Sequence, residues 1–270
     1  MAGNFRKAGK EQYYTLPDVG EHFAKVMVDR YGVDHLWLEP SGGKGDLIEG
    51  LICNGVDVNN ITSYDIEPHH NLVKEANFLE TDLQGNFITF GNPPFGRACS
   101  LAIKFFNKAA KNSDVIAFII PPSFNKPSIQ DQLDENFHQV YVERCPAISF
   151  YDGDNNIHEG GLLRTDFQIW ERRDYQRVKR QSYRSDKFTF VKKDNDFDIA
   201  FRTHGNGAGR VLPPGDYNPR TTAFIKLNHP DALQALKNAD YSFFLNSTSH
   251  IPCLAPAEIS ICVDEWYSKR

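Results

Sequence analysis

Asn92, Pro93, Pro94 and Phe95 follow an apolar run containing Phe87, Ile88 and Phe90, and Gly96 comes next. The two prolines fix φ and push the residue before each of them out of the helical region. Asn92 is therefore expected to be extended, with its side-chain oxygen and the Pro93 carbonyl pointing the same way. Both are acceptors. An exocyclic amine on a base is a poor nucleophile because its lone pair is delocalised into the ring. Two rigid acceptors pulling on its hydrogens favour a pyramidal nitrogen whose lone pair is free to attack. Phe95 supplies a flat face for a base that is flipped out or presented from a single strand. The bland reading is a proline-rich loop between a strand and a helix, without chemistry. The four-residue string directly after a strand favours the chemical one.

The elements that must hold this turn alternate between short apolar runs and helical patterns from Leu36 to about Trp170. Strands are expected at Leu36 to Leu38, Ile61 to Tyr64, Phe87 to Phe90, Val115 to Ile120, Val140 to Glu143 and Phe167 to Trp170. Helices are expected at Asp46 to Cys53, His69 to Ala76, Leu101 to Ala110 and Ile129 to Phe137. Such alternation implies an α/β fold with a mostly parallel sheet, and the last two strands read as an antiparallel pair closing one edge. Ligands of these sheets bind outside the carboxyl ends of the strands. Further on, Gly205 to Gly215 is loop-like, Thr221 to Leu227 strand-like, Asp231 to Lys237 helical and Tyr241 to Leu245 strand-like.

Upstream, the first strand runs into Glu39-Pro40-Ser41-Gly42-Gly43-Lys44-Gly45-Asp46. Glycines there let the backbone approach a ligand and turn into a helix. Alone, such a turn serves a dinucleotide, a nucleoside or nothing. Its spacing is not G-x-G-x-x-G, and Lys44 precedes Gly45 instead of Ser or Thr, so a phosphate-binding P-loop is excluded. The acid before the turn disfavours a polyphosphate and suits the positive amino and sulfonium groups of S-adenosylmethionine. Asp65, with Ile66 beside it, ends the second strand and can accept from two ribose hydroxyls. Asp82, with Leu83, can accept from an adenine amino group. Each acid taken alone is more often a cap or a turn residue; their order at successive strand ends favours a pocket.

Composition bounds these readings. A chain of 270 residues, 40% hydrophobic and 24% charged, is long enough for one large globular domain or a domain with an appendage. No apolar run approaches a membrane span, and the polar Met1 to Lys10 stretch lacks a signal-peptide core, so a cytoplasmic (or nuclear) protein that is not secreted is expected. The cysteines (Cys53, Cys99, Cys145, Cys253, Cys262) show no metal-ligand spacing and read as reduced thiols. No metal is expected, and His69, His70, His158 and His204 form no usable constellation. With a formal net charge of -5, contact with nucleic acid requires a local basic patch. From Glu171 to Lys193 nine residues are basic and three acidic, with Tyr175, Tyr183 and Phe188 interleaved. Arg172, Arg173, Arg177, Lys179 and Arg180 in this tract, with Arg97 and Lys126 near the turn, are the expected phosphate contacts; the bland reading of the tract is a solvated linker.

Taken together, these segments resemble the S-adenosylmethionine-dependent adenine-N6 methyltransferases of the Rossmann-like class I superfamily. The resemblance rests on Tyr14-Thr15-Leu16-Pro17, the Glu39 to Gly45 loop, Asp65, Asp82, Asn92 to Phe95, and Ile119 to Phe124. It implies a mostly parallel seven-stranded sheet with an antiparallel edge hairpin over residues 1–172. A basic linker and a small α+β extension for target recognition would occupy 173–270. It also implies cofactor contacts from Tyr14, Thr15, Glu39, Ser41, Gly42, Gly43, Gly45, Asp65, Ile66, Asp82, Leu83 and Asn92. Asn92, Pro93, Pro94 and Phe95 would be catalytic. The motif order resembles DNA enzymes with a C-terminal recognition region. Leu16 separates Thr15 from Pro17 where the family often has Thr-Pro directly, and Phe95 stands where a tyrosine is common, as in several RNA enzymes. Methylation of adenine in DNA is the leading expectation, by a monomer or weak homodimer. RNA adenine, a protein glutamine amide, or a catalytically silent scaffold are the alternatives.

Overall fold

The computed structural model describes residues 13–157, 164–213, 215–248 and 251–270. The polar Met1 to Lys10 stretch and His158 lie outside them. The described chain forms two compact units: 13–121 with Gln132–Arg177, and Pro122–Asp131 with the residues from Val178 onward. The first unit runs β1 (Tyr14–Thr15), α1 (Pro17–Tyr31), β2 (Leu36–Glu39), α2 (Asp46–Cys53), β3 (Ile61–Asp65), β4 (Val73–Glu75), β5 (Phe87–Gly91), α3 (Ser100–Ala109) and β6 (Ser113–Ile120). The chain then enters the second unit for α4 (Pro127–Gln130) and returns for β7 (Phe137–Arg144), β8 (Phe150–Tyr151) and β9 (Asp166–Arg172).

Seven strands form one sheet in the order β4-β3-β2-β5-β6-β9-β7. All neighbours are parallel except β9, which is antiparallel to both β6 and β7. This is a Rossmann-like α/β architecture, the expected mostly parallel seven-stranded sheet with an antiparallel edge hairpin. The strand order reverses between β2 and β5, which opens a crevice at their carboxyl ends. A separate two-stranded ladder pairs Tyr14 with Tyr151 and Thr15 with Phe150.

Apolar periodicity explains most of the elements. α3 buries Ala102, Ile103, Phe105, Phe106 and Ala109, a helical stripe on one face. Phe106 meets Phe118, Phe137 and Trp170 edge-on. α1 begins at Pro17, a favoured first helical residue, and buries Val19, Phe23, Ala24 and Met27. Phe23 stacks on Phe167 at 4.3 Å. α1 and α2 approach closely enough that a Cβ on Gly50 would lie 2.8 Å from the Gly20 carbonyl oxygen.

One expected helix of this region is absent and another is shorter and shifted. The His69 to Ala76 stretch forms a turn and then β4, because Val73, Lys74 and Glu75 pair in parallel with Ser63, Tyr64 and Asp65. Only Pro127–Gln130 of the second helical region is helical, and Phe137 already belongs to β7.

The second unit has a four-stranded antiparallel sheet in the order β10-β13-β11-β12. Its strands are β10 (Phe188–Val191), β11 (Ile199–Arg202), β12 (Val211–Leu212) and β13 (Thr222–Leu227). Its helices are α5 (Ala232–Asn238), α6 (Ser242–Asn246) and α7 (Pro256–Ser268). Phe201, Ile225, Leu236, Ile259 and Val263 are fully buried in its core. The expected strand from Tyr241 to Leu245 is the helix α6: Tyr241 and Phe244 point inward while Phe243 stays exposed. Lys126, on the segment drawn in from 122–131, makes a buried ion pair with Glu258 of α7 at 3.0 Å.

Candidate active site

The carboxyl ends of β2 and β5 meet at the reversal of strand order, and both loops are shaped for contact. A Cβ on Gly91 would lie 2.8 Å from Glu39 Oε1 and 2.9 Å from the Pro40 ring, so only glycine lets the two chain segments close. The Ser41 hydroxyl donates to the Asn92 carbonyl at 3.1 Å and ties the loops together. Asn92 Nδ2 donates to Thr15 Oγ1 at 3.2 Å. With its amino end held there, the amide presents its oxygen elsewhere. Among the described residues, neither Asn92 Oδ1 nor the Pro93 carbonyl accepts a hydrogen bond.

Beyond the prolines the backbone is strained. Gly96 has φ of 68°, and Ala98 and Cys99 are left-handed in succession, with φ of 51° and 61°. Left-handed alanine and cysteine side by side are costly and persist only where surrounding structure imposes them. The Phe95 carbonyl supplies part of that restraint by accepting the Leu101 N–H at 3.1 Å. These bends leave Phe95 half-buried and Arg97 exposed at a cavity of about 640 Å³, a size suited to a nucleotide-like ligand.

One wall of that cavity is the turn itself, Asn92 to Arg97, with Leu101, Phe105 and Phe150. The other is made by Tyr14, Ser41, Gly43, Asp65, Ile66 and Glu67, continuing through Ala76 to Leu79. Asp65 accepts the Gly43 N–H at 2.9 Å through one oxygen and the Glu67 N–H at 2.9 Å through the other. Each oxygen keeps a lone pair. Ile66 is 58% exposed, an apolar side chain offered to a ligand face.

Several expected contacts fall elsewhere. Glu39 is buried beneath the loop, where its carboxyl accepts the Ser41 N–H and the Ser63 hydroxyl, each at 3.2 Å. Burial, reinforced by the Asp65 carboxylate, pushes it up to about 8. Gly42 packs over it, and Gly45 packs over the His70 ring; neither lines the cavity. Thr15 is buried and acts through Asn92. Asp82 receives Gln84 and Leu83 is buried, so that end of the cavity is built by Asn77, Phe78 and Leu79 directly after β4. A strand read at 73–75 would have found them, since ligands collect at strand ends.

Nothing in the sequence marks the role of Lys44. Its ammonium lies 4.7 Å from the Tyr14 ring and 4.7 Å from the Tyr151 ring, and donates to Asn155 Oδ1. This cation held between two aromatic faces fastens the glycine loop to the β1–β8 ladder.

The expected phosphate contacts divide sharply. Lys126 is consumed by Glu258. Arg172 lies over the Phe137 ring and donates to the Ala110 carbonyl. Arg173 pairs with Glu171 at 2.7 Å, and Arg177 donates to the carbonyls of Leu133, Asp134 and Phe137. Lys179, Arg180 and Arg97 remain exposed. The five cysteines are free thiols, and among the described residues no group of three or more His, Cys, Asp or Glu side chains is placed to hold a metal.

Solved methyltransferases resemble the chain in fold. A Pyrococcus horikoshii protein described as an RNA methyltransferase is 15% identical, over 63% of this chain and 90% of that one, with a TM-score of 0.49. A modification subunit described for a type I restriction enzyme of Vibrio vulnificus is 16% identical, over 62% of this chain and 45% of that one, with a TM-score of 0.42. A magnesium protoporphyrin IX methyltransferase of Synechocystis, solved with bound S-adenosylmethionine, is 10% identical, over 58% and 79%, with a TM-score of 0.39. No protein-family model matches the sequence, and no curated protein matches it significantly. At such identities the likeness is one of fold alone.

Proposed function

We propose that the protein transfers the methyl group of S-adenosylmethionine to the exocyclic N6 amine of adenine in nucleic acid, with DNA ahead of RNA. The observation that carries this reading is the pair of unmet acceptors, Asn92 Oδ1 and the Pro93 carbonyl, fixed at the strand-order reversal in one cavity with Asp65. DNA is placed first on the order of motifs along the chain.

The residues fit the cofactor. Asp65 suits a vicinal diol, Ile66 offers an apolar face for a base, and the buried Glu39 carboxyl beneath Gly42 suits a cation above it. When bound, S-adenosylmethionine supplies an electrophilic methyl group on a sulfonium centre. Asn92 and Pro93 hold the acceptor amine through its two hydrogens, which turns the nitrogen lone pair out of the ring. Phe95 offers its ring to the base. The N–H becomes acidic once nitrogen is alkylated, so its proton passes to water without a strong base in the chain.

The test uses labelled cofactor with separate pools of DNA, RNA and protein, followed by digestion of the labelled pool. N6-methyladenine in DNA is the expected product. Label in glutamine amide, or none in any pool although the cofactor binds, overturns the reading. Asn92→Ala should abolish turnover while cofactor affinity stays within about twofold, because the acceptors touch the amine and not the donor.

A further inference from the structure

The tract at 172–193 spends many of its cations internally, so a nucleic acid needs charge from elsewhere. Besides those in the first unit, Lys187 pairs with Asp186, and Lys193 with Asp216. The second unit carries a different basic surface at one end of its four-stranded sheet. Arg202, the last residue of β11, donates its N–H to the Arg210 carbonyl at 2.8 Å, and Gly209 donates back to the Arg202 carbonyl at 2.8 Å. Two arginines thus face each other across the mouth of a hairpin. Arg202 Nη1 also reaches Thr221 Oγ1 at 3.1 Å, which brings Arg220 to the same end.

Like charges directly opposed across strands destabilise a hairpin unless something relieves them. Among the described residues no carboxylate pairs with Arg202, Arg210 or Arg220. Asp216, in the loop leading to Arg220, is turned to Lys193. Two further acids of this sheet sit at its other end: Asp196 holds Lys226, and Asp198 accepts the Leu227 N–H. Between the facing arginines the hairpin loop carries exposed His204 and three left-handed glycines, Gly205, Gly207 and Gly209, with φ of 76°, 93° and 90°. Among the described residues other than its chain neighbours, no atom lies within 4 Å of where a Cβ on Gly205 would stand, which leaves room for a ligand backbone beside them.

We propose that this hairpin end, Arg202, Arg210 and Arg220 around the glycine loop, is a docking surface for the phosphate backbone of nucleic acid. The proposal rests on the functional reading above for its choice of polyanion. Such an arrangement would let a protein of net negative charge bind this target: the positive potential is local, without a paired carboxylate among the described residues, and placed beside a glycine-rich loop.

Binding of a fluorescein-labelled DNA duplex, followed by anisotropy across a salt series, tests it. The R202Q/R210Q/R220Q protein should bind at least tenfold more weakly than wild type at moderate salt. The slope of log K against log salt should be shallower by about 2 to 3, near 0.9 per lost phosphate contact. If loss of the Arg202 bond to Thr221 unfolds that protein, the R210Q/R220Q protein, altered only at exposed side chains, should lose about two such contacts. R180Q/K192Q, with the same charge removed from the other tract, should bind as wild type. Unchanged affinity and slope in the hairpin variants, or loss in the R180Q/K192Q protein instead, overturns the proposal. So does equal binding of polyglutamate, which would mark a site for acidic protein. The outcome is separable from that of methyl transfer: Asn92→Ala should keep full duplex affinity, and a hairpin-dependent duplex affinity in a protein that methylates nothing would leave this surface standing alone.

Discussion

At the scale of single residues, the site is governed by where two polar groups are anchored. Thr15 fixes the amide of Asn92 by accepting from its amino end, so Thr15→Val should lower kcat by about tenfold, roughly 1.4 kcal/mol, with little change in cofactor affinity. Thr15→Ser, which keeps the acceptor, should restore it; a valine variant with normal kcat would remove Thr15 from any positioning role. Glu39 reports on charge in the pocket. Its carboxyl titrates at about 8 in the folded protein against about 4.5 ordinarily. Between those values the folded protein keeps a proton that the unfolded chain has released, so stability should fall as pH rises through this window. A cation above the loop favours the ionised form, so cofactor binding near neutrality should release a proton and tighten with rising pH, by no more than tenfold per pH unit. Calorimetry in buffers of different ionisation enthalpy measures the release, and Glu39→Gln should abolish it. The sequence told that an acid belonged there. It could not tell that the side chain lies under the loop, because that depends on Ser63 and Gly42 closing over it.

At the scale of elements, the most legible parts are those whose periodicity has one interpretation. β6 is apolar from Val115 to Ile120 and α3 carries a clean helical stripe, and both lie where the pattern places them. Short apolar runs were ambiguous: Tyr241 to Leu245 packs two residues of a helical turn, and His69 to Ala76 yields a strand whose only justification is its ladder with β3. β4 gives the site its third loop, and without that strand the sequence points to Asp82 where Asn77 and Phe78 line the cavity. α1 was overlooked although Val19, Phe23 and Met27 repeat at helical spacing. Its contact with α2 is backbone to backbone, so Gly50→Ala should destabilise the protein by about 1–3 kcal/mol through overpacking. A urea midpoint unchanged by that substitution would mean the helices can separate without loss.

At the scale of the whole molecule, the division into units is not a cut at one point in the chain. Residues 122–131 belong to the second unit though they lie between two strands of the first, which no composition boundary announces. Lys126 anchors that segment, and removal of its partner leaves a buried ammonium with no opposing charge and only the Cys253 carbonyl, at 3.0 Å, to accept from it. Glu258→Ala should therefore cost about 3–5 kcal/mol, whereas replacing both residues with Met and Leu should cost far less. Equal losses in the two proteins, measured by urea unfolding, would show that packing and not charge dominates there.

The same pair sets a clock on synthesis. Lys126 and Glu258 are 132 residues apart. At roughly 5–20 residues per second the lysine waits about 7–26 s on a ribosome for its carboxylate. Until then its charge holds the segment in water, so β6 and β7 on either side can each pair with β9 before the second unit exists. An uncharged, apolar residue at 126 would remove that delay and leave a sticky loop on the nascent chain.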